Sequence, residues 1–208
     1  MGAGRHARVF DLVALPYDLF FHSQRRAFRR VFRTYGGTLG LPPDAKILDI
    51  GCGTGALASV LADRGYGVHA VEPSRGMRAR ARRHFDGRGI TLQNTDALRG
   101  LPYPEGAFDL VVASHVVHGL PSADRNAFYR EALRVSRGLV LFHDFPSRSL
   151  KHGWPDVYAL ETLEQSDYRR FIRTGVREMQ RAFASVEVFV VDIGSAWYVC
   201  WDRGGGPG

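Results

Sequence analysis

The chain has 208 residues, 45% hydrophobic and 24% charged, a composition that suits one globular domain with at most a small cap. It excludes collagen-like, disordered and coiled-coil proteins, and no apolar run approaches the roughly 20 residues needed to cross a bilayer. Arg and Lys outnumber Asp and Glu by 28 to 21, for a formal net charge of +7, yet Lys46 and Lys151 are the only lysines. Such an arginine excess follows from genome composition as readily as from an anionic partner, so net charge alone decides little.

The N-terminus and the cysteines predict a cytoplasmic protein. Residues 1–8 carry charge, but no apolar stretch of a secretory signal follows them. Two cysteines, Cys52 and Cys200, cannot form a disulfide framework, which is consistent with a reducing compartment.

The first predicted element is an amphipathic helix between Leu19 and Pro43. Its apolar face carries Phe21, Phe28, Val31 and Phe32, and its other face carries Arg25, Arg26, Arg29, Arg30 and Arg33. We expect a lid helix whose phenylalanines cover a pocket. Docking of the arginines on a membrane surface or on RNA is the alternative, with weak membrane contact possible and no stable nucleic-acid partner expected.

From Lys46 onward, short apolar runs alternate with helical patterns. The predicted strands are residues 47–50, 68–71, 90–93, 108–113, 139–142, 186–191 and 196–201. The predicted helices are residues 56–63, 74–85 with Ser74 as N-cap, one capped by Ser122, and one from Tyr168 to Phe183. This alternation predicts an α/β fold with a mostly parallel sheet, helices on both faces, and a terminal hairpin that adds one antiparallel strand.

The predicted domain organisation follows from these elements. Residues 1–45 form an N-terminal helical lid, and residues 46–203 form the main domain, with a cap insertion at about 146–164. The glycine-rich residues 204–208 are expected to be a disordered tail.

The most informative motif runs from Asp49 to Ala56, at the end of the first strand and the start of the next helix. Glycines allow a sharp turn and a close approach to a ligand, and a helix N-terminus favours a phosphate or a carboxylate. The pattern Gly51-x-Gly53-x-x-Ala56, with Glu72 after the second strand, also fits dinucleotide binding, so an NAD-dependent oxidoreductase is an alternative.

Four motifs in chain order resemble the class I S-adenosylmethionine-dependent methyltransferases. The segment Ile47–Gly55 is similar to their first motif, Val71–Ser74 to the second and Thr95–Ala97 to the third. The segment Phe108–Pro121 is similar to the fourth motif of the small-molecule "type 11" branch. The resemblance covers residues 46–145 and implies a Rossmann-like seven-stranded sheet with one antiparallel strand.

The resemblance also implies the cofactor, S-adenosylmethionine, and the residues that hold it. Glu72 would chelate the ribose diol, and the Asp96 side chain with the next backbone amide would read the adenine. The full set of implied cofactor residues is Tyr17, Asp49, Gly51, Cys52, Gly53, Gly55, Glu72, Pro73, Asp96, Ala97 and Ser114. Tyr17 belongs to the set because Tyr17-Asp18 is similar to an N-terminal pair of quinone and phospholipid methyltransferases.

The candidate catalytic residues are His115, His118 and His143, at the ends of the fourth and fifth strands. A hydroxyl acceptor would profit from a histidine base, whereas an amine need only arrive deprotonated. The same histidines with Asp144 would also suit a metal, although no metal is assigned because no fixed helical spacing places them together.

Aromatic residues in the cap regions favour an apolar or aromatic acceptor. We therefore predict methyl transfer to an oxygen or nitrogen of a small molecule, by in-line displacement. A methyltransferase acting on lipid or quinone at a membrane surface, or on RNA, is the alternative.

Overall fold

The structure is a computed structural model that describes residue 11 and residues 14–15, 17–147, 167–192 and 194–202. Most of the predicted cap insertion at 146–164 and the tail predicted to be disordered lie outside the described residues.

Five helices and seven strands alternate along the described chain. The helices are α1 (Phe21–Tyr35), α2 (Ala56–Ala62), α3 (Arg75–Phe85), α4 (Ser122–Val135) and α5 (Tyr168–Ala182). The strands are β1 (Lys46–Ile50), β2 (Gly67–Val71), β3 (Thr91–Gln93), β4 (Leu110–Ser114), β5 (Leu139–Asp144), β6 (Ser185–Asp192) and β7 (Ser195–Trp201). Single turns of 3₁₀ helix cover Gly36–Leu39, Ala97–Arg99 and Val117–Gly119.

The strands form one seven-stranded sheet in the order β3-β2-β1-β4-β5-β7-β6. Strands β1 to β5 pair in parallel, and β7 runs antiparallel to both β5 and β6. The chain order reverses at β1, which has β2 on one side and β4 on the other. The predicted fold class is therefore confirmed, including the terminal hairpin.

Two boundaries differ from the prediction in ways that affect the site. Strand β5 continues two residues past Phe142, because β7 pairs with His143 through Trp197 and with Asp144 through Ala196. Ser122 was expected to cap α4, but that expectation is wrong, since Pro121 occupies the N-cap and the Ser122 hydroxyl donates to Glu178 of α5 instead. Ser74 does cap α3, because its hydroxyl oxygen accepts the Met77 N–H.

The sheet is covered on both faces, and each face has its own apolar core. One core joins the sheet to α1, α2 and α3, and the other joins it to α4 and α5. Successive strand residues alternate between them, so Leu139 and Leu141 belong to the first core and Val140 and Phe142 to the second.

Helix α1 contributes to the first core with Phe21, Phe28, Val31 and Phe32, which are all buried. The Phe32 ring lies edge-on to Trp197 of β7, with 4.8 Å between centroids. The apolar face of α1 therefore packs on the sheet. No helix within the described ranges is both long and apolar enough to cross a membrane.

Candidate active site

Apart from Tyr17, which precedes α1, the predicted cofactor residues and the predicted catalytic histidines lie along one edge of the sheet, at the carboxyl ends of the parallel strands. The cofactor residues end or follow β1, β2, β3 and β4, and the histidines end or follow β4 and β5. Because β1 and β5 both pair with β4, the two groups are neighbours at the point where the strand order reverses. Open α/β sheets bind their ligands at this position.

The loop after β1 depends on glycine at several positions. Gly51, Gly53 and Gly55 have φ values of 71°, 56° and 88°, which favour glycine. A Cβ at Gly51 would also lie 2.7 Å from the Val116 side chain, and one at Gly55 would collide with the Phe85 ring. The loop therefore lies directly against the loop after β4, with its backbone open to a ligand.

Glu72 connects the glycine loop to α3. One carboxylate oxygen accepts the Gly53 N–H at 3.0 Å, and the other accepts the Ser74 N–H at 2.8 Å. Burial raises the pKa of Glu72 to about 7, although these two hydrogen bonds act in the opposite direction. The carboxylate is thus fixed in place, with lone pairs left for the hydroxyls of a ligand.

Asp49 is a buried carboxylate near the same loop. Neither of its oxygens accepts a hydrogen bond of ordinary geometry among the described residues, although the Ala58 backbone N–H acts to lower its pKa. Burial and the nearby Glu72 raise the pKa of Asp49 to about 7. A buried carboxylate without a partner is costly, and a cationic or hydroxyl-bearing ligand would offset that cost.

The other predicted cofactor residues differ in burial and in their contacts. Asp96 uses one oxygen to accept the Leu98 N–H at 3.0 Å, and its second oxygen lies 3.8 Å from Arg99 Nε. Ala97 is buried, and Cys52, Pro73, Ser114 and Tyr17 are half-buried. A glycine loop with two buried acids suits S-adenosylmethionine, which carries a ribose diol and a positively charged amino-acid end.

His118 and Asp144 form the best-defined pair at the acceptor side. His118 Nδ1 lies 2.7 Å from Asp144 Oδ1, and the His118 backbone N–H donates to Oδ2 at 3.3 Å. Burial opposes ionisation of Asp144, but His118, His115 and the Phe145 N–H together outweigh it and lower the pKa of this carboxyl. An ionised Asp144 requires the proton on Nδ1, so the basic lone pair of the His118 ring lies on Nε2.

His143 faces the other side of the sheet. The Trp197 indole N–H donates to His143 Nδ1 at 3.0 Å, and the Phe28 ring lies 5.2 Å from the His143 ring. Burial, and to a smaller extent the charge of the nearby His115, lowers the pKa of His143 to about 3. In this neutral ring Nδ1 is an acceptor and Nε2 carries the proton, which makes His143 a poor candidate for a general base.

His115 is exposed at the rim, and its φ of 52° is uncommon for a residue other than glycine. Its Nδ1 lies 4.0 Å from Asp144 Oδ1. Donor atoms of His115, His118 and Asp144 all lie within 4.8 Å of one another, a spacing that would also fit a metal ion. A metal ion at this place would therefore be bound by His115, His118 and Asp144, and not by His143. The hydrogen bond between His118 and Asp144 already gives both groups a partner without an ion.

Aromatic rings surround His118. The Phe145 ring is 4.8 Å from the His118 ring, and the Tyr168 ring is 4.9 Å from Phe145. These two rings form an apolar, aromatic wall beside His118.

Three residues of the site were not predicted as such. Asp144 was named beside His143 at the end of the fifth strand but not among the predicted catalytic residues, although strand alternation after Phe142 could have placed it opposite His143. Arg125, buried in α4, donates to the Leu120 carbonyl and to Glu178, and thereby holds the loop that carries His118. Asp11 accepts the Ser74 hydroxyl at 2.6 Å, a contact that no sequence pattern signals.

Comparison with known proteins identifies the family. A family model described as a methyltransferase domain matches residues 47–138. The chain is 35% identical over 200 residues to a malonyl-(acyl-carrier protein) O-methyltransferase of Geobacter sulfurreducens, an alignment that covers 88% of this chain and 72% of that protein. It is 30% identical over 197 residues to a 2-methyl-6-phytyl-1,4-hydroquinone methyltransferase of Synechocystis, covering 91% of this chain and 58% of that protein. The solved structure of DhpI in complex with SAH superimposes with a TM-score of 0.70 at 17% identity and covers 98% of both chains.

The chain belongs to the class I S-adenosylmethionine-dependent methyltransferases, in the type 11 branch. It is therefore an enzyme whose cofactor is S-adenosylmethionine, as the four motifs predicted. The alternative of an NAD-dependent oxidoreductase finds no support.

Proposed function

We propose that this enzyme methylates a small aromatic molecule that carries a hydroxyl group, with His118 as general base and Asp144 as the residue that orients it. The observation that carries the proposal is the buried hydrogen bond between His118 Nδ1 and Asp144 Oδ1, 2.7 Å long, beside the glycine loop. S-adenosylmethionine supplies an activated methyl group on a sulfonium sulfur, so the protein need only align the acceptor and remove its proton.

The roles of the two residues follow from the tautomer. His118 Nε2 takes the proton of the acceptor hydroxyl, and Asp144 stabilises the imidazolium that results. Loss of that proton makes a phenolic oxygen, and the ring carbons conjugated with it, more nucleophilic. The aromatic wall of Phe145 and Tyr168 supports an aromatic acceptor, as does the hydroquinone in the name of the Synechocystis relative.

For the cofactor, we propose contacts with the residues that the motifs indicated. Asp49 and Glu72 would hold the charged and hydroxyl groups, while Gly51, Cys52, Gly53 and Gly55 would offer backbone. Pro73, Asp96 and Ala97 would enclose the adenine end, and Ser114 and Tyr17 would lie near the methyl group.

A lid role, in this proposal, belongs to the residues before α1. Asp11 accepts both the Ser74 hydroxyl and the Gly76 N–H, two and four residues from Glu72. This contact holds Asp11 two residues from Glu72, whereas α1 itself is packed in the core.

A second candidate acceptor is a carboxylate. The Geobacter relative is named for malonyl-(acyl-carrier protein). A carboxylate is ionised at neutral pH and needs no base, so loss of His118 would then affect acceptor binding more than the chemical step.

The experiment is a screen with methyl-tritiated S-adenosylmethionine against hydroquinones, phenols, amines and carboxylic acids, followed by kinetics of His118→Ala with the best acceptor. We expect a phenolic acceptor and a fall in kcat of about 10²–10⁴ for the variant, with cofactor affinity unchanged. His22→Ala, which removes an exposed imidazole, is the matched control and should leave kcat unchanged.

Two results would contradict the proposal. An acceptor without a hydroxyl group, or a near-normal kcat in His118→Ala, would leave alignment alone as the contribution of the protein. Loss of activity after dialysis against a chelator, restored by a divalent ion, would favour the metal alternative at His115, His118 and Asp144.

A further inference from the structure

The surface of the N-terminal helical region combines exposed apolar side chains with arginines. Leu15, Leu19 and Phe20 are 58%, 79% and 59% exposed, and they are three of the five exposed large hydrophobic residues in the described part of the chain. We propose that this surface, defined by Leu15, Leu19, Phe20, Arg26, Arg30 and Arg33, docks on anionic phospholipid membranes. The proposal concerns a surface away from His118 and does not depend on the acceptor.

Helical geometry brings the apolar and basic residues together. The Phe20 backbone has φ −89° and ψ −3°, and its carbonyl accepts the Gln24 N–H at 2.9 Å, so the helical residues 17–19 continue into α1. Arg26, Arg30 and Arg33 follow Leu19 at 7, 11 and 14 residues. These spacings place Leu19 and the three arginines on one side of the helix, opposite the buried Phe28 and Phe32, and the exposed Leu15 and Phe20 lie near its start.

The arginines on this side provide the charge. Arg26, Arg30 and Arg33 are exposed, and among the described residues none of them forms an ion pair. Asp63 neutralises Arg25 and Arg29 and is the acid that pairs with this helix. A cavity of about 330 Å³ between His22, Arg25, Arg26 and Arg29 offers room for an anionic headgroup.

A lipid surface suits this combination better than a nucleic acid does. Two leucines and a phenylalanine at the end of a basic helix can enter the acyl-chain boundary while the arginines meet phosphates. A phosphate backbone would use the arginines but leave the aliphatic side chains in water. Exposed apolar side chains that lie together in this way indicate an interaction surface.

The test measures co-sedimentation of the full chain with vesicles of phosphatidylcholine containing roughly one-third phosphatidylglycerol. Each arginine near an anionic leaflet strengthens partitioning about fivefold, so the triple variant Arg26→Gln, Arg30→Gln, Arg33→Gln should partition roughly 100-fold more weakly. The variant Leu15→Ser, Leu19→Ser, Phe20→Ser keeps the charge and should partition at least about tenfold more weakly, because it removes the inserted side chains. Circular dichroism should show that both variants remain folded.

Helix α5 offers a matched control. The triple variant Arg169→Gln, Arg173→Gln, Arg177→Gln removes three exposed arginines and the same three charges, but from a helix that has no exposed large apolar residue. It should retain partitioning within about threefold of the unmodified chain. Equal losses in the two arginine variants would show that net charge alone is responsible and would overturn the proposal. Unchanged partitioning in the serine variant, or stronger binding to an RNA oligonucleotide than to the vesicles, would overturn it as well.

Discussion

Among single residues, Asp49 has the clearest conflict between stability and function. Its carboxylate is buried next to Glu72 without a hydrogen bond of ordinary geometry in the described structure, and its pKa of about 7 lies well above the ordinary value of 3.8. The folded state without cofactor therefore favours protonated Asp49. The resulting stability is fully present below pH 4 and is lost as the pH rises through 7.

The substitution Asp49→Asn removes this titration. We expect the cofactor-free variant to be about 1–3 kcal/mol more stable than the unmodified chain at pH 8, with a smaller gain at pH 5, and to bind S-adenosylmethionine at least about tenfold more weakly. Thermal unfolding at the two pH values and calorimetric titration measure both effects. Asp86→Asn, at an exposed position, should change neither, and a variant less stable at pH 8 than the unmodified chain would refute the argument.

Cofactor binding should also depend on pH through Glu72, whose pKa is about 7. Its ionised form accepts hydroxyl hydrogen bonds best, so affinity should rise as the pH increases from 6 to 8, and binding should release protons. Glu72→Gln should weaken binding by roughly 10- to 100-fold and reduce this pH dependence. Titrations in two buffers of different ionisation enthalpy count the protons, and proton uptake would contradict the prediction.

At the level of elements, the contact between α4 and α5 positions the loop that carries His118. Arg125 is fully buried, donates to Glu178 at 2.6 Å and pairs with Asp167 at 3.1 Å. It also donates to the carbonyl of Leu120, two residues after His118. The two helices and the loop therefore share one charged centre.

Removing the charge of Arg125 should lower the free energy of unfolding. Arg125→Met leaves the Glu178 carboxylate buried without its partner, and we expect a loss of about 3–5 kcal/mol in the free energy of unfolding, measured with urea. The double variant Arg125→Met, Glu178→Met should recover part of this loss, because the charge that remains unpaired, that of Asp167, is partly exposed. Arg130→Met, at an exposed position of the same helix, should stay within about 0.5 kcal/mol. A small change in the free energy of unfolding for Arg125→Met alone would mean that the ion pair between Arg125 and Glu178 contributes little to stability.

At the scale of the whole molecule, α1 completes the core on one face of the sheet. Phe32 is 2% exposed and meets Trp197, whose indole in turn holds His143. Phe32→Ala should therefore lower the free energy of unfolding by about 3–5 kcal/mol, whereas Phe20→Ala, at a position 59% exposed, should change it by less than about 0.5 kcal/mol. Deletion of residues 1–33 removes the same contacts and should abolish cooperative unfolding. A truncated chain that still unfolds cooperatively would show that α1 is dispensable for folding.

The sequence by itself predicted the mostly parallel sheet with its terminal hairpin, the cofactor, and the edge of the sheet to which the cofactor residues are assigned. It could do so because those signals are local, with glycines and acids each following a strand, and because parallel strands place their carboxyl ends together. For the same reason, the predicted bounds of the first two strands, residues 47–50 and 68–71, differ from those of β1 and β2 by one residue.

The tertiary structure alone distinguished the three histidines. Pairing with β7 extends β5 through Asp144, and the alternation along that strand then directs His143 toward Trp197 and Asp144 toward His118. His118 and Asp144 are 26 residues apart, so their contact depends on how two strand ends and a helical turn pack. The position of α1 also depended on the tertiary structure. Its amphipathic sequence shows that one face is covered, but only the packing shows that the sheet covers it.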